Sequence, residues 1–172
     1  MSGAVIAFRQ KTPLPFSGAD TIGLAAMTTI QCQYEGSLRC QALHEPSGSS
    51  LLTDAPLDNE GKGERFSPTD LVATALATCI LTVMGITAQR HGWALEGSRA
   101  RVEKTMTRSG RRRIEALTVW ITLPEGLAAD HRQLLQRAAE SCPVKQSLEG
   151  AVAMELIWEH AGTPASDQPP AA

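Results

Sequence analysis

At 172 residues the chain can bury one proper core and has no need of a second domain. A net charge of -2 and a pI of 6.1 give no electrostatic reason to expect a nucleic-acid partner. Four cysteines are too few for a disulfide-held secreted scaffold, and no apolar run is read as a membrane span, so a cytoplasmic protein with reduced thiols is expected.

Residues 1–26 mix Gly, Pro, Ser and Ala without periodicity and read as a flexible extension. Met1 to Phe8 holds a short apolar stretch with no basic segment before it, so a signal peptide is not expected. Met27 directly precedes a strand-like run, which makes it an alternative start. The folded domain is expected over 27–160, and 161–172, rich in Pro, Ala and Ser, as a disordered tail.

Two strand runs, Thr28 to Tyr34 and Ser37 to His44, are split by the turn pair Glu35-Gly36. A third is expected over Ser50 to Thr53, followed by a polar loop from Asp54 to Arg65 with Gly61 and Gly63. A long helix then opens with Ser67 as N-cap, Pro68 in the first helical position and Asp70 in the third. This is a capping box with Asp in place of Glu. The helix runs to about His91, where Gly92 supplies the left-handed stop.

Trp93 to Thr107 and Arg111 to Leu123 read as strands joined by Ser109-Gly110, and the second alternates Leu117, Val119 and Ile121 with more polar neighbours. Arg111, Arg112 and Arg113 at the tip read as a solvated turn. A helix is expected from Leu127 to Glu140, a short one from Cys142-Pro143 to Gly150, and a last strand from Val152 to Trp158. The order β-β-β-α-β-β-α-α-β is α+β, with little of the alternation a parallel sheet requires.

The long helix is apolar on most of its circumference. Val72, Ala75, Leu76, Cys79, Ile80, Val83 and Ile86 form one broad face, which Ala73, Ala77, Leu81, Met84 and Ala88 extend. A helix so apolar is covered on several sides, and one modest sheet covers only one, so a homodimer is inferred.

Two cysteines stand apart from the rest. Cys79, inside the long helix, taken alone is most often a small core hydrophobe. Cys142 in Ser141-Cys142-Pro143-Val144 is the expected N-cap of the short helix, beside unpaired backbone N–H groups. That setting favours a thiolate, so local physics ranks Cys142 as the more acidic thiol; a cap without reactivity is the other reading. Cys32 and Cys40 fit half-buried strand packing. The scattered histidines His44, His91, His131 and His160 make no metal pattern, and no cofactor is implied.

Taken together, Asp58-Asn59-Glu60-Gly61-Lys62-Gly63-Glu64, Phe66-Ser67-Pro68-Thr69-Asp70-Leu71, Ala77-Thr78-Cys79 and Ser141-Cys142-Pro143-Val144 resemble the OsmC/Ohr family, the osmotically inducible and organic hydroperoxide resistance proteins. The resemblance runs from about Thr28 to Glu159 and is greatest to its OsmC-like branch. It implies an intertwined homodimer with sites at the subunit interface, and a thiol peroxidase without metal or flavin. In that scheme Cys79 attacks the hydroperoxide and becomes a sulfenic acid. Cys142 resolves it as a disulfide, which a dithiol reductant reopens. This reverses the ranking drawn from the helix terminus. The family's best-known peroxidases carry Glu directly after the proline that opens the helix; here Thr69 stands there, followed by Asp70. The activating pair is therefore assigned to Arg39, with Arg65 second, and to Glu64, with Glu60 as the other candidate. Organic hydroperoxides are the expected substrates, with Leu76, Ile80, Val83 and Met84 as apolar walls. A small-ligand-binding module and a thiol redox sensor are the rival readings.

Overall fold

The computed structural model describes residues 27–159; the extension expected at 1–26, position 160 and the tail expected at 161–172 lie outside the described residues. Strands β1 (Ile30–Gly36), β2 (Arg39–His44) and β3 (Ser50–Asp54) form an antiparallel meander. Its first turn falls at Ser37 and Leu38, later than Glu35-Gly36, with Gly36, Ser37 and Leu38 all at positive φ. After β3 the chain passes through a short 3-10 turn, Leu57–Asn59, into the long helix α1 (Pro68–His91). Strands β4 (Arg99–Met106) and β5 (Ile114–Thr122) make a hairpin. Helices α2 (Ala129–Glu140) and α3 (Pro143–Leu148) follow, and β6 (Ala153–Glu159) ends the domain.

The α+β order is as read from the sequence, but the strands divide into two three-stranded sheets. In the second, β4 and β5 are antiparallel while β6 lies parallel to β5. The parallel pair arises because α2 and α3 carry the chain back across the sheet as a crossover.

The ends of α1 follow their sequence signals. Ser67 accepts from the Asp70 N–H at 3.2 Å, Asp70 accepts from the Ser67 N–H at 2.7 Å, and Gly92 closes the helix at φ 70. The buried stripe is Ala73, Leu76, Ala77, Ile80, Met84 and Ala88. Thus only part of the broad face drawn from the sequence turns inward, and Ala75 and Ile86 are exposed. By length and composition alone α1 could also cross a bilayer, contrary to the reading that no run is long enough. Its buried stripe packs on Leu117, Val119 and Ile121 of β5 and on Leu135 and Ala139 of α2.

Thr74, Thr78 and Thr82 donate their hydroxyls back to the carbonyls of Asp70, Thr74 and Thr78 at 2.8–2.9 Å, which satisfies them within the helix. At the far end Trp93 is stacked between His91 and His131, with ring centroids 4.6 and 3.8 Å away, joining the end of α1 to α2.

The first sheet scarcely touches this core. Strand register puts Cys32, Tyr34, Cys40, Ala42, Leu51 and Thr53 on one face. Tyr34 and Leu51 are 63% and 42% exposed, so this apolar face is open in the single chain. Cys32 is exposed rather than half-buried as expected.

Candidate functional site

The break between α2 and α3 positions one of the two singled-out thiols. At the end of α2 the N–H of Ser141 turns back to Ala138 O at 3.0 Å and that of Cys142 to Ala139 O at 3.1 Å. Pro143, with no N–H to give, starts α3 afresh, leaving Cys142 as its N-cap. Cys142 is fully buried and packs in the core cluster, against which half-buried Cys79 of α1 also packs. Cys79 packs against the core cluster that contains Cys142, near enough for the one thiol to influence the ionisation of the other, and both are free thiols. Two cysteines sixty residues apart are therefore neighbours.

Burial pushes the Cys142 thiol above its ordinary pKa, and the neighbouring Cys79 thiol adds to the effect. The backbone N–H groups of Lys145 and Val144 pull the other way and are outweighed. The ranking of Cys142 as the more acidic thiol is corrected here, because the helix-terminus argument left out desolvation. Cys142 therefore holds its proton more tightly than an ordinary thiol.

Arg39 and Glu64 meet as an ion pair, although they come from β2 and from the loop before α1. The sequence reading missed their third member. Asp54, directly opposite Arg39 in the β2–β3 register, is fully buried and lies 3.5 Å from Arg39 Nη2. It accepts the Glu64 backbone N–H at 3.1 Å. That hydrogen bond and the Arg39 charge hold its carboxylate below the usual range, against desolvation. The loop reaches this position because the Gly61 and Gly63 N–H groups bond to Pro56 O and Ala55 O at 3.1 and 3.2 Å. A Cβ on Gly61 would fall 1.7 Å from the Ala55 carbonyl oxygen, so only glycine fits.

The structure does not bring this cluster to the thiols within one chain. Arg39 is held by Asp54 and Glu64, the latter from the loop that leads into α1, whereas Cys79 lies about 16 Å along the helix from Pro68 at the usual rise per residue. Glu60 is exposed at φ 63, at the end of the 3-10 turn. Arg65 is exposed and lines an open cleft of 1110 Å³ with Leu51, Leu52, Phe66 and Val102. Leu76, Ile80 and Met84, expected as substrate walls, are wholly inside the core, so within this chain they contact no ligand.

Two lysines also escaped the sequence reading. Lys104 of β4 reaches Asp70 Oδ1 at 2.6 Å and Thr69 Oγ1 at 2.8 Å, so Asp70 both caps α1 and ties it to the second sheet. Lys145, whose side chain is 13% exposed, pairs with Glu140 at 2.9 Å next to the cysteine pair. The motif Ser141-Cys142-Pro143-Val144 gives no signal for it. Only its place in the first turn of α3, one turn after the N-cap, could have found it.

Residues 61–157 match the family model described as OsmC-like protein. A crystal structure from Psychrobacter arcticus 273-4, assigned to osmotic stress induction and detoxification response, is 38% identical. The alignment covers 80% of this chain and 100% of that one, with a TM-score of 0.73. The fold is shared with an organic hydroperoxide resistance protein OsmC from Legionella pneumophila (18% identity, 80% and 99% covered, TM-score 0.65). It is also shared with the organic hydroperoxide resistance protein OhrB of Bacillus subtilis (17% identity, 78% and 98% covered, TM-score 0.60). No curated protein matches the chain. With the model spanning more than half of the sequence and a 38% identical relative aligned over its whole length, this chain belongs to the OsmC family.

Proposed function

We propose that the protein is a thiol peroxidase that reduces organic hydroperoxides through Cys79 and Cys142. The observation that carries this reading is the packing of both thiols on one core cluster, one half-buried on α1 and the other buried at the α3 N-cap. Cys79 attacks the terminal peroxide oxygen as a thiolate. The O–O bond breaks, the alcohol leaves with a proton, and Cys79 becomes a sulfenic acid. The Cys142 sulfur then attacks the Cys79 sulfur, the S–O bond breaks, and the Cys142 proton leaves with the oxygen as water. A dithiol reductant returns the disulfide to two thiols. Organic hydroperoxide resistance in the names of several fold relatives supports the substrate class.

The working form in this proposal is a homodimer. Beyond the open face of the first sheet, α1 presents Ala75, Thr78, Thr82 and Ile86 outward. The hydroxyls of Thr78 and Thr82 are turned back to the backbone, so their methyls face out and a second helix can approach closely.

The test is dithiol-dependent consumption of cumene hydroperoxide and hydrogen peroxide by wild type and by Cys79→Ser. Faster turnover of the organic substrate, lost in the variant, is expected. No consumption of either peroxide would sink the peroxidase reading and leave small-ligand binding in its place.

A further inference from the structure

Resolution of the sulfenic acid needs a Cys142 thiolate, yet Cys142 is fully buried and held protonated. Something near it must offset the cost of that charge. We propose that Lys145 is the positioning residue that stabilises the Cys142 thiolate, both when it attacks the oxidised Cys79 and when it departs during reduction. This deepens the peroxidase reading and rests on it for its role in turnover.

The placement is unusual for a lysine. Its stem is mostly covered, with only 13% of the side chain exposed, where such residues ordinarily extend into solvent. It lies in the first turn of the helix that Cys142 caps, three residues after the cap, where side chains at that spacing are neighbours. Glu140, from the last turn of α2, grips Nζ at 2.9 Å and fixes the ammonium beside the break that presents Cys142. The charged and titratable groups that act on the thiol or on this lysine are Cys79 from α1, Glu140 from α2, Lys145 from α3 and Glu149 just after it. Lys145 is the cation among them. Against a buried sulfur in low dielectric, one fixed positive charge favours the thiolate far more than it would in water.

While Cys142 is protonated, the ammonium is balanced by Glu140 and costs the site little. When Cys142 attacks the Cys79 sulfenic acid, its proton passes to the departing oxygen to make water, and the developing charge on sulfur is held by Lys145. On reduction, the incoming dithiol sulfur bonds to Cys79 and the S–S bond breaks. Cys142 leaves as a thiolate on the same cation and then regains a proton.

The first measurement is independent of peroxide. In a Cys32→Ser, Cys40→Ser, Cys79→Ser background the remaining thiolate absorbance near 240 nm belongs to Cys142, and it is followed against pH. Lys145→Met is expected to raise the midpoint by about one pH unit, a tenfold loss of thiolate at a given pH. Lys145→Arg should keep the midpoint near that of the parent. Lys145→Gln replaces Met if the Met variant is unfolded by circular dichroism. Coincident titrations of the parent and the neutral variant overturn the proposal, whatever the peroxidase assays show.

The second measurement uses the full-length protein with Cys79 intact. After one equivalent of cumene hydroperoxide, dimedone-trappable sulfenic acid at Cys79 should persist about tenfold longer in Lys145→Met than in wild type at pH 7, and the gap should close at alkaline pH. Equal lifetimes at every pH would overturn the role in resolution. If wild type forms no sulfenic acid at all, the peroxidase reading fails and the role in turnover with it, while the titration still decides whether Lys145 sets the Cys142 thiolate.

Discussion

Arg39 and Asp54 face each other across β2 and β3 at 3.5 Å, and each keeps one polar atom buried without a partner among the described residues: Nε of the arginine and Oδ1 of the aspartate. The pair is costly to break from the arginine side, because removing Arg39 leaves the fully buried Asp54 carboxylate without its charge partner, whereas removing Asp54 leaves Arg39 still paired with Glu64.

Asp54→Asn tests that coupling. The folded carboxylate sits below its ordinary pKa, so it contributes stability that is present above the unfolded value and lost as pH falls through the folded one. At pH 7 the variant should show a lower urea midpoint than wild type. The difference should shrink below about pH 3.9, the ordinary aspartate value. A constant difference from pH 7 to pH 2 would mean that the Asp54 charge is not what stabilises the fold.

In the proposed mechanism the two cysteines divide the work in an order that single variants can read. Cys79→Ser should abolish peroxide reduction, and Cys142→Ser should allow one turnover and leave a dimedone adduct on Cys79. Because Cys142 titrates above its ordinary value, disulfide formation in wild type should quicken with pH and still be rising past about pH 8.5. Dimedone labelling of Cys142 in an active Cys79→Ser protein would reverse the assignment.

The sequence carried the α+β element order because its punctuation is strong: the Ser67–Asp70 capping box, Pro68, Gly92 and the alternation of Leu117, Val119 and Ile121 each fix a local geometry. It also carried the two cysteines through their family context. It could not show that the strands split into two sheets, since only long-range packing decides which strands pair. Nor could it show Asp54, whose burial depends on the loop from Ala55 to Phe66 folding back on β3. Cys142 was misjudged for the same reason. Its helix terminus is local and legible, but the desolvation that wins comes from the core around it.

Leu117→Ala and Tyr34→Asp should separate the two kinds of apolar surface. Leu117 is wholly buried at the centre of β5, so its truncation should cost about 2–5 kcal/mol in urea unfolding. Tyr34 is 63% exposed on the open face of the first sheet. A charge there should leave the single chain folded but shift light-scattering mass from dimer to monomer. A wild type that runs as a monomer at micromolar concentration would remove the homodimer from the proposed function.

The activation of Cys79 gives the sharpest test of the proposed dimer. A half-buried thiol needs a cation to ionise readily near neutral pH, and Arg39 was the residue read for that task. Within one chain, Arg39 is fixed by Asp54 and Glu64, and its side-chain partners among the described residues are these two carboxylates. If Arg39 does activate the thiol, it acts on the partner subunit's Cys79. Arg39→Met and Cys79→Ser proteins should then each be inactive at neutral pH, and mixing them under exchange should restore activity. In a mixed dimer the Arg39→Met chain supplies the thiol and the Cys79→Ser chain supplies the arginine, so one site of two is complete. Random pairing makes about half of the dimers mixed, which sets the expected recovery at about a quarter of wild type. Alkylation of Cys79 against pH should recover in parallel. Mixing without recovery, in dimers shown to exchange, would mean that Arg39 serves its own chain or has no part in activation. The same experiment with Arg65→Met would then distinguish those outcomes.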